Sequence, residues 1–171
     1  MAWNNKLKGR VWKFGTNVDT DQILPGYAMA APEDKLKEYA LAGSAIPDFA
    51  QKVQPGDIVV AGDNFGCGSS REQAPVALKE AGVALIIAKS LARIFRRNSV
   101  NIGMPVLVAD LVDQIENGQE IEVDLVTGKI TLLRTGDKVQ GQALAPNVLE
   151  TLECGGLIAK VRRHLNPVMS E

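Results

Sequence analysis

Between Ile58 and Ala109, three short and almost wholly apolar runs alternate with two segments of helical character. Ile58–Ala61 follows a Pro55-Gly56-Asp57 turn, Val83–Ala88 follows Gly82, and Pro105–Ala109 closes the series. Runs this short and continuous are what strands buried on both faces look like. The segments between them, Ser69–Ala81 and Leu91–Asn101, have the length and composition of helices. Strand, helix, strand, helix, strand in that order calls for parallel pairing, because parallel neighbours need a crossover to return the chain. This stretch constrains the fold more than any other.

The flanks add to it. Leu7–Phe14 alternates weakly and reads as a first strand. The segment Asn17–Pro25, followed by Gly26, is dense in turn formers and acids and reads as a loop. Pro32–Gly43 has Pro in the first turn, Glu33 and Asp34 early and Gly43 as a stop, so a helix is expected there. Glu120–Leu125 and Lys129–Leu133 alternate with period two around Thr127-Gly128, which predicts a β-hairpin. Pro146–Cys154 and a segment after Gly155-Gly156 read as short helices. A parallel βαβ core with added hairpin strands makes an α/β domain of several layers, expected to be one domain over residues 1–171.

Charge and composition exclude several classes of function. With 19 basic and 20 acidic side chains the net charge is −1, which gives no general attraction to nucleic acid or anionic lipid. The basic clusters Arg93, Arg96, Arg97 and Arg162, Arg163, His164 read as solvated faces or helix-end charges. No apolar run approaches the roughly 20 residues that cross a bilayer, and Met1–Arg10 lacks the apolar centre of a secretory signal. The two cysteines, Cys67 and Cys154, are too few and too far apart for a disulfide framework. A cytoplasmic location is expected.

The chemistry concentrates in Gly62–Gln73, which reads Gly-Asp-Asn-Phe-Gly-Cys-Gly-Ser-Ser-Arg-Glu-Gln. It follows a strand and opens a helix, the arrangement that aims backbone N–H groups at an anion. Gly66 and Gly68 are expected to let the backbone approach a ligand. Ser69 and Ser70 supply hydroxyls, and Arg71 a guanidinium able to grip a carboxylate through two parallel hydrogen bonds. The spacing fails a dinucleotide fingerprint and a nucleotide P-loop. Ser69 with Glu72 three residues later also makes a capping box, so a carboxylate or phosphate receptor and a plain helix cap both remain open. A non-enzymatic carboxylate-binding regulatory module is the alternative of another class.

The block Gly66-Cys-Gly-Ser-Ser-Arg-Glu72 closely resembles the swivelling-domain motif of the aconitase superfamily. Asp19-Thr-Asp-Gln-Ile-Leu-Pro25 and Ala88-Lys-Ser-Leu-Ala-Arg-Ile-Phe95 resemble two further blocks of that domain, in the same order. The length resembles the free-standing small subunits found in the isopropylmalate dehydratase and homoaconitase branch. The resemblance implies a three-layer β/β/α swivelling domain, here with a C-terminal β-hairpin. It also implies dehydration and rehydration of a malate-type hydroxy acid. By the same resemblance Ser69 is the general base, Ser70 and Arg71 bind substrate carboxylate, and Asp19 and Asp21 border the site. Gly68, as the close-approach glycine beside them, is also expected to bind substrate.

The resemblance further implies that hydroxide leaves to one iron of a [4Fe–4S] cluster. Such a cluster takes three or four thiolates, and two distant cysteines cannot hold one. The cluster is therefore expected on a larger catalytic partner subunit, with no metal in this chain. Cys67 is expected to be a small buried residue, and His164, the single histidine, to meet a helix dipole.

In relatives the loop after the Asp-Thr-Asp block faces the substituent that differs between substrates. Here it reads Gly26-Tyr-Ala-Met-Ala-Ala31, without the arginine that a further carboxylate would want. Tyr27, Ala28 and Met29 are expected to form an apolar wall for an isopropyl group. Methylmalate/citraconate and 2,3-dimethylmalate follow as alternatives, then homoaconitate.

Overall fold

The computed structural model describes residues 3–166. Seven strands form one sheet in the order β4-β3-β2-β1-β5-β6-β7. They are β1 (Lys6–Lys13), β2 (Ile58–Ala61), β3 (Leu85–Ala88), β4 (Val106–Val108), β5 (Glu120–Asp124), β6 (Lys129–Leu132) and β7 (Lys138–Gln140). Strands β1 to β4 pair in parallel, while β1 with β5, β5 with β6 and β6 with β7 are antiparallel. The parallel half follows sequence order without reversal, so each crossover covers the same face.

Side chains on that half sort by parity into two cores. Val59, Ala61, Ile86, Ala88 and Val106 pack with Phe49, Ala74, Ala77, Leu78 and Phe95 from helices α2 (Phe49–Lys52), α3 (Gln73–Glu80) and α4 (Arg93–Asn101). Their neighbours Ile58, Val60, Leu85, Ile87 and Leu107 pack with Ile121, Val123, Ile130 and Leu132 of the antiparallel half. The sheet therefore curls over its own parallel half, which lies between a helical layer and a β layer. This is the expected β/β/α arrangement, and the short strands of β2 and β3 are apolar at every position because both faces are covered.

The helices α5 (Pro146–Glu153) and α6 (Leu157–Leu165) are the last elements of the described residues. Helix α6 is turned inside out: Lys160 and His164 face Glu150, while Ile158 and Leu165 are 68% and 73% exposed. No described helix is long and apolar enough to cross a membrane.

Several expectations need correction. Pro32–Gly43 is no α-helix: a 3-10 segment covers Glu33–Tyr39. Its continuation is drawn off by backbone bonds, Leu41 N–H to Ile23 C=O at 2.7 Å and Gly43 N–H to Gln22 C=O at 3.1 Å. Both carbonyls belong to α1 (Thr20–Ile23), a single helical turn where a loop was expected, and Gly26–Ala30 forms a 3-10 turn. Strand β7 has too few residues to show alternation.

Candidate active site

The three sequence blocks meet at the ends of the parallel strands. After β2 the chain runs beside two segments at once, with Asp19 bridged to Cys67 and Phe65 to Leu91 in parallel. Gly66 N–H bonds to Val18 C=O at 2.8 Å, Thr20 N–H to Cys67 C=O at 2.9 Å, and Ala92 N–H to Phe65 C=O at 2.9 Å. Pairing with Phe65 holds Leu91 and Ala92 extended, so α4 begins at Arg93 and not at Leu91. Asp63 and Ser90 tie the same segments from below, with Ser90 Oγ 3.1 Å from an Asp63 carboxylate oxygen.

Gly66 and Gly68 both sit at positive φ, +82° and +97°. A Cβ on Gly66 would fall 2.2 Å from the Phe95 ring. The close approach at Gly66 is to a core aromatic, which itself stacks edge-on against Phe65 at 5.4 Å, and Gly66 and Gly68 also line a cavity beside Ser69. With the turn so held, Ser69 and Ser70 project at the surface.

Helix α3 starts at Gln73, and its N-cap Glu72 makes no side-chain cap. The capping box of Ser69 and Glu72 is therefore not formed, and Ser69 does not stand at the helix mouth. Pro75 is the physical reason and was a readable signal: a helix begun at Ser69 would put Pro75 where an N–H must reach back to the fourth residue before it. Starting at Gln73 leaves Pro75 in the first turn, where its missing N–H costs nothing.

A cavity of about 190 Å³ opens here, lined by Thr20, Gly68, Ser69, Ser70, Arg71 and Arg93 among others. Thr20 is buried at 3% exposure, and its Oγ1 lies 3.3 Å from Ser69 Oγ. The Arg71 guanidinium is held by Asp21, 2.5 Å away, and by the Leu24 carbonyl at 2.7 Å. Asp19 accepts from Gln22 N–H at 2.9 Å and caps α1. Its part is to build the turn that carries Thr20 and Asp21. A larger depression of about 350 Å³ lies over β1, β5 and β6. It is lined by Lys6, Lys8, Glu122, Lys129 and Thr131 on open strands and by none of the residues of the three sequence blocks, so size alone does not locate the chemistry.

Residues 13–110 match the aconitase C-terminal domain family. The chain belongs to the aconitase superfamily. It is 50% identical to the 3-isopropylmalate dehydratase small subunit of Aquifex aeolicus, over 94% of this chain and 96% of that one. It is 51% identical to the methanogen homoaconitase small subunit of Methanothermobacter thermautotrophicus, over 89% and 88%. The crystal structure of 3-isopropylmalate dehydratase from Methanocaldococcus jannaschii superposes with a TM-score of 0.89 at 39% identity, covering 97% of this chain and 99% of that chain. Within the superfamily the chain falls in the 3-isopropylmalate dehydratase small-subunit family.

For an aconitase-type domain the placement of the loop residues is instructive. Tyr27 is 72% exposed and leans on Tyr39, with ring centroids 6.0 Å apart. Met29 is half-buried, whereas Ala28 is 1% exposed inside the first core. Ala28 therefore does not contribute to an apolar wall facing a substrate; the 3-10 turn rotates its methyl inward. None of the three lines the cavity beside Ser69. Arg93, read from sequence as part of a solvated face, does line it, as do Thr20 and Ile94.

Cys67 is half-buried, less enclosed than expected, and its backbone bridges to Asp19. Among the described residues no three of His, Cys, Asp and Glu come together as a metal site. Cys67 and Cys154 stand in different parts of the fold as free thiols, a donor set that does not fit a [4Fe–4S] cluster.

Proposed function

We propose that the chain is the small subunit of a two-subunit hydro-lyase that interconverts 2-isopropylmalate and 3-isopropylmalate by dehydration and rehydration, a step of leucine biosynthesis in the cytoplasm. One observation carries this reading. An exposed serine hydroxyl and an anchored guanidinium share one small cavity in a chain of this family.

In this reading Ser69 Oγ, as the alkoxide, takes the proton from the carbon next to a substrate carboxylate. The electron pair of that C–H bond becomes the new C=C bond, and hydroxide leaves the neighbouring carbon. Negative charge builds on the carboxylate as the proton departs, and Arg71 and the Ser70 hydroxyl stabilise it there. A guanidinium has five N–H donors. Asp21 and the Leu24 carbonyl engage two of them, which leaves three for substrate while holding the group still. Gly68 contributes backbone without a side chain in the way.

Loss of hydroxide needs a Lewis acid, and we assign that role to a [4Fe–4S] cluster on a larger partner subunit. The absence of arginine from Gly26–Ala31, and the exposed ring of Tyr27, favour an apolar substituent over a further carboxylate. Homoaconitate is the second reading, favoured by the 51% identity to a methanogen homoaconitase small subunit. Methylmalate differs from isopropylmalate by little more than pocket volume, which discriminates by about 1–3 kcal/mol per methylene.

The test is co-expression with a candidate large subunit, anaerobic cluster reconstitution, and absorbance of the unsaturated acid formed from each malate derivative. Ser69→Ala is expected to abolish turnover with the complex still assembled. Turnover at the wild-type rate in that variant removes Ser69 from the reaction.

A further inference from the structure

Thr20 is almost wholly enclosed, at 3% exposure, yet its side chain borders the cavity. Its hydroxyl is not left over from packing. Every buried side-chain oxygen and nitrogen among the described residues has a partner, and for Thr20 Oγ1 that partner is Ser69 Oγ at 3.3 Å. The backbone fixes this meeting independently of the side chains. Thr20 N–H bonds to Cys67 C=O, Gly66 N–H bonds to Val18 C=O, and Asp19 caps the turn that Thr20 begins. The β-branched Thr20 side chain has restricted χ1 freedom, whereas Ser69 is exposed and on its own would sample several rotamers.

We infer that Thr20 is a positioning residue for proton transfer, its buried hydroxyl donating a hydrogen bond to Ser69 Oγ. The inference rests on the reading of Ser69 as the base. A serine hydroxyl is a very weak acid, so its alkoxide needs donors, and a hydrogen bond to the charged form favours that form. When Ser69 has taken the substrate proton, the same pair persists with either hydroxyl as donor, so no bond is lost across the step. The fixed threonine thus selects the Ser69 rotamer that faces the cavity and lowers the pH at which Ser69 can act.

Removing the Thr20 hydroxyl has separable consequences. Thr20→Val keeps the shape and leaves Ser69 able to bond water, so folding is little affected. In the reconstituted two-subunit enzyme, Thr20→Val is expected to lower kcat about tenfold or more, by analogy with lost base alignment. KM for isopropylmalate is expected to stay within about twofold, since Thr20 holds the base and not the carboxylates. The alkaline-rising limb of the kcat–pH profile is expected to move to higher pH. Thr20→Ser restores the hydroxyl, the rate and the profile. Thermal unfolding of each variant reports the fold, and Thr20→Ala replaces the valine variant should valine fail to pack.

A kcat and pH profile equal to wild type in Thr20→Val, in an enzyme that Ser69→Ala inactivates, overturns the positioning role and leaves Ser69 as base. Full activity in Ser69→Ala overturns the base assignment and this inference with it. Loss of rate in Thr20→Val that Thr20→Ser does not rescue also overturns the inference, because the hydroxyl is then not what matters.

Discussion

Arg71 and Asp21 form an unequal pair: the guanidinium side chain is 17% exposed and the carboxylate 2.5 Å from it is 69% exposed. An ion pair with one partner in water contributes little to stability, about 0–1 kcal/mol. Its effect is on orientation. Asp21 and the Leu24 carbonyl hold the guanidinium plane at the cavity edge.

Asp21→Asn is therefore expected to leave the unfolding midpoint nearly unchanged while raising KM several-fold. Arg71→Lys replaces a planar fork by a single ammonium that cannot serve Asp21, Leu24 and substrate together. A loss of about 100-fold in kcat/KM is expected for it, corresponding to about 2.7 kcal/mol of transition-state binding. Steady-state kinetics on the two variants, beside calorimetry, separates orientation from folding. Equal activity of Arg71→Lys and wild type would remove the guanidinium from substrate binding.

Substrate choice can be probed at Tyr27 but not at Ala28. Tyr27 is 72% exposed, so Tyr27→Arg adds a cation without disturbing the core. It is expected to raise the relative kcat/KM for a tricarboxylate over isopropylmalate. Ala28→Arg forces an unpaired charge into a position that is 1% exposed and is expected to cost about 3 kcal/mol or more of stability. Competition assays and urea unfolding distinguish the two; an unchanged substrate ratio in Tyr27→Arg argues against selection by this loop.

Gly66→Ala tests the glycine-rich turn as architecture. Positive φ costs an L-residue roughly 1–2 kcal/mol, and the new Cβ would lie 2.2 Å from Phe95 Cγ. The ring, buried at 3% exposure, has no free space to take. A total loss of about 2–4 kcal/mol is expected, read as a lower urea midpoint. Wild-type stability would mean that the turn can relax without Phe95.

The junction of α5 and α6 should respond to acid. Glu150 lies 2.9 Å from His164 Nε2 and 3.5 Å from Lys160 Nζ. The His164 hydrogen bond, and after it the Lys160 charge, hold the Glu150 carboxyl below the ordinary glutamate range. A carboxyl depressed in the folded state contributes stability that is complete above its unfolded value and disappears as pH falls through the folded value. Helix α6 is thus expected to loosen below the ordinary glutamate range. Amide exchange in α6 should rise there in the wild type, and Glu150→Gln should remove that rise.

Much of this fold is legible in the sequence because its signals are local. Ile58–Ala61, Val83–Ala88 and Pro105–Ala109 announce buried strands because both faces of each are covered, and apolarity at every position follows from that alone. The hairpin Glu120–Leu132 was equally legible, since one-sided burial writes alternation into the sequence. Ser69, Ser70 and Arg71 stood out by motif. Where local signals compete with long-range bonds, the reading fails: Pro32–Gly43 has helical punctuation but is pulled onto α1, and Leu91-Ala92 is held extended by Phe65.

Which side chains face one another across the turn depends on how distant segments pack. Thr20 lies 49 positions from Ser69, and although the Asp19–Pro25 block draws the eye to Asp19 and Asp21, nothing local shows that the Thr20 hydroxyl meets Ser69. Ala28 and Tyr27 are adjacent in sequence, yet one is in the core and the other in water, because a tight 3-10 turn points successive side chains in divergent directions. The buried strands β2 to β4, the hairpin and the crossover order follow from near neighbours, and so does the candidate turn Gly62–Gln73. The partners of those residues depend on where separate segments meet, and that is a property of the packed sheet.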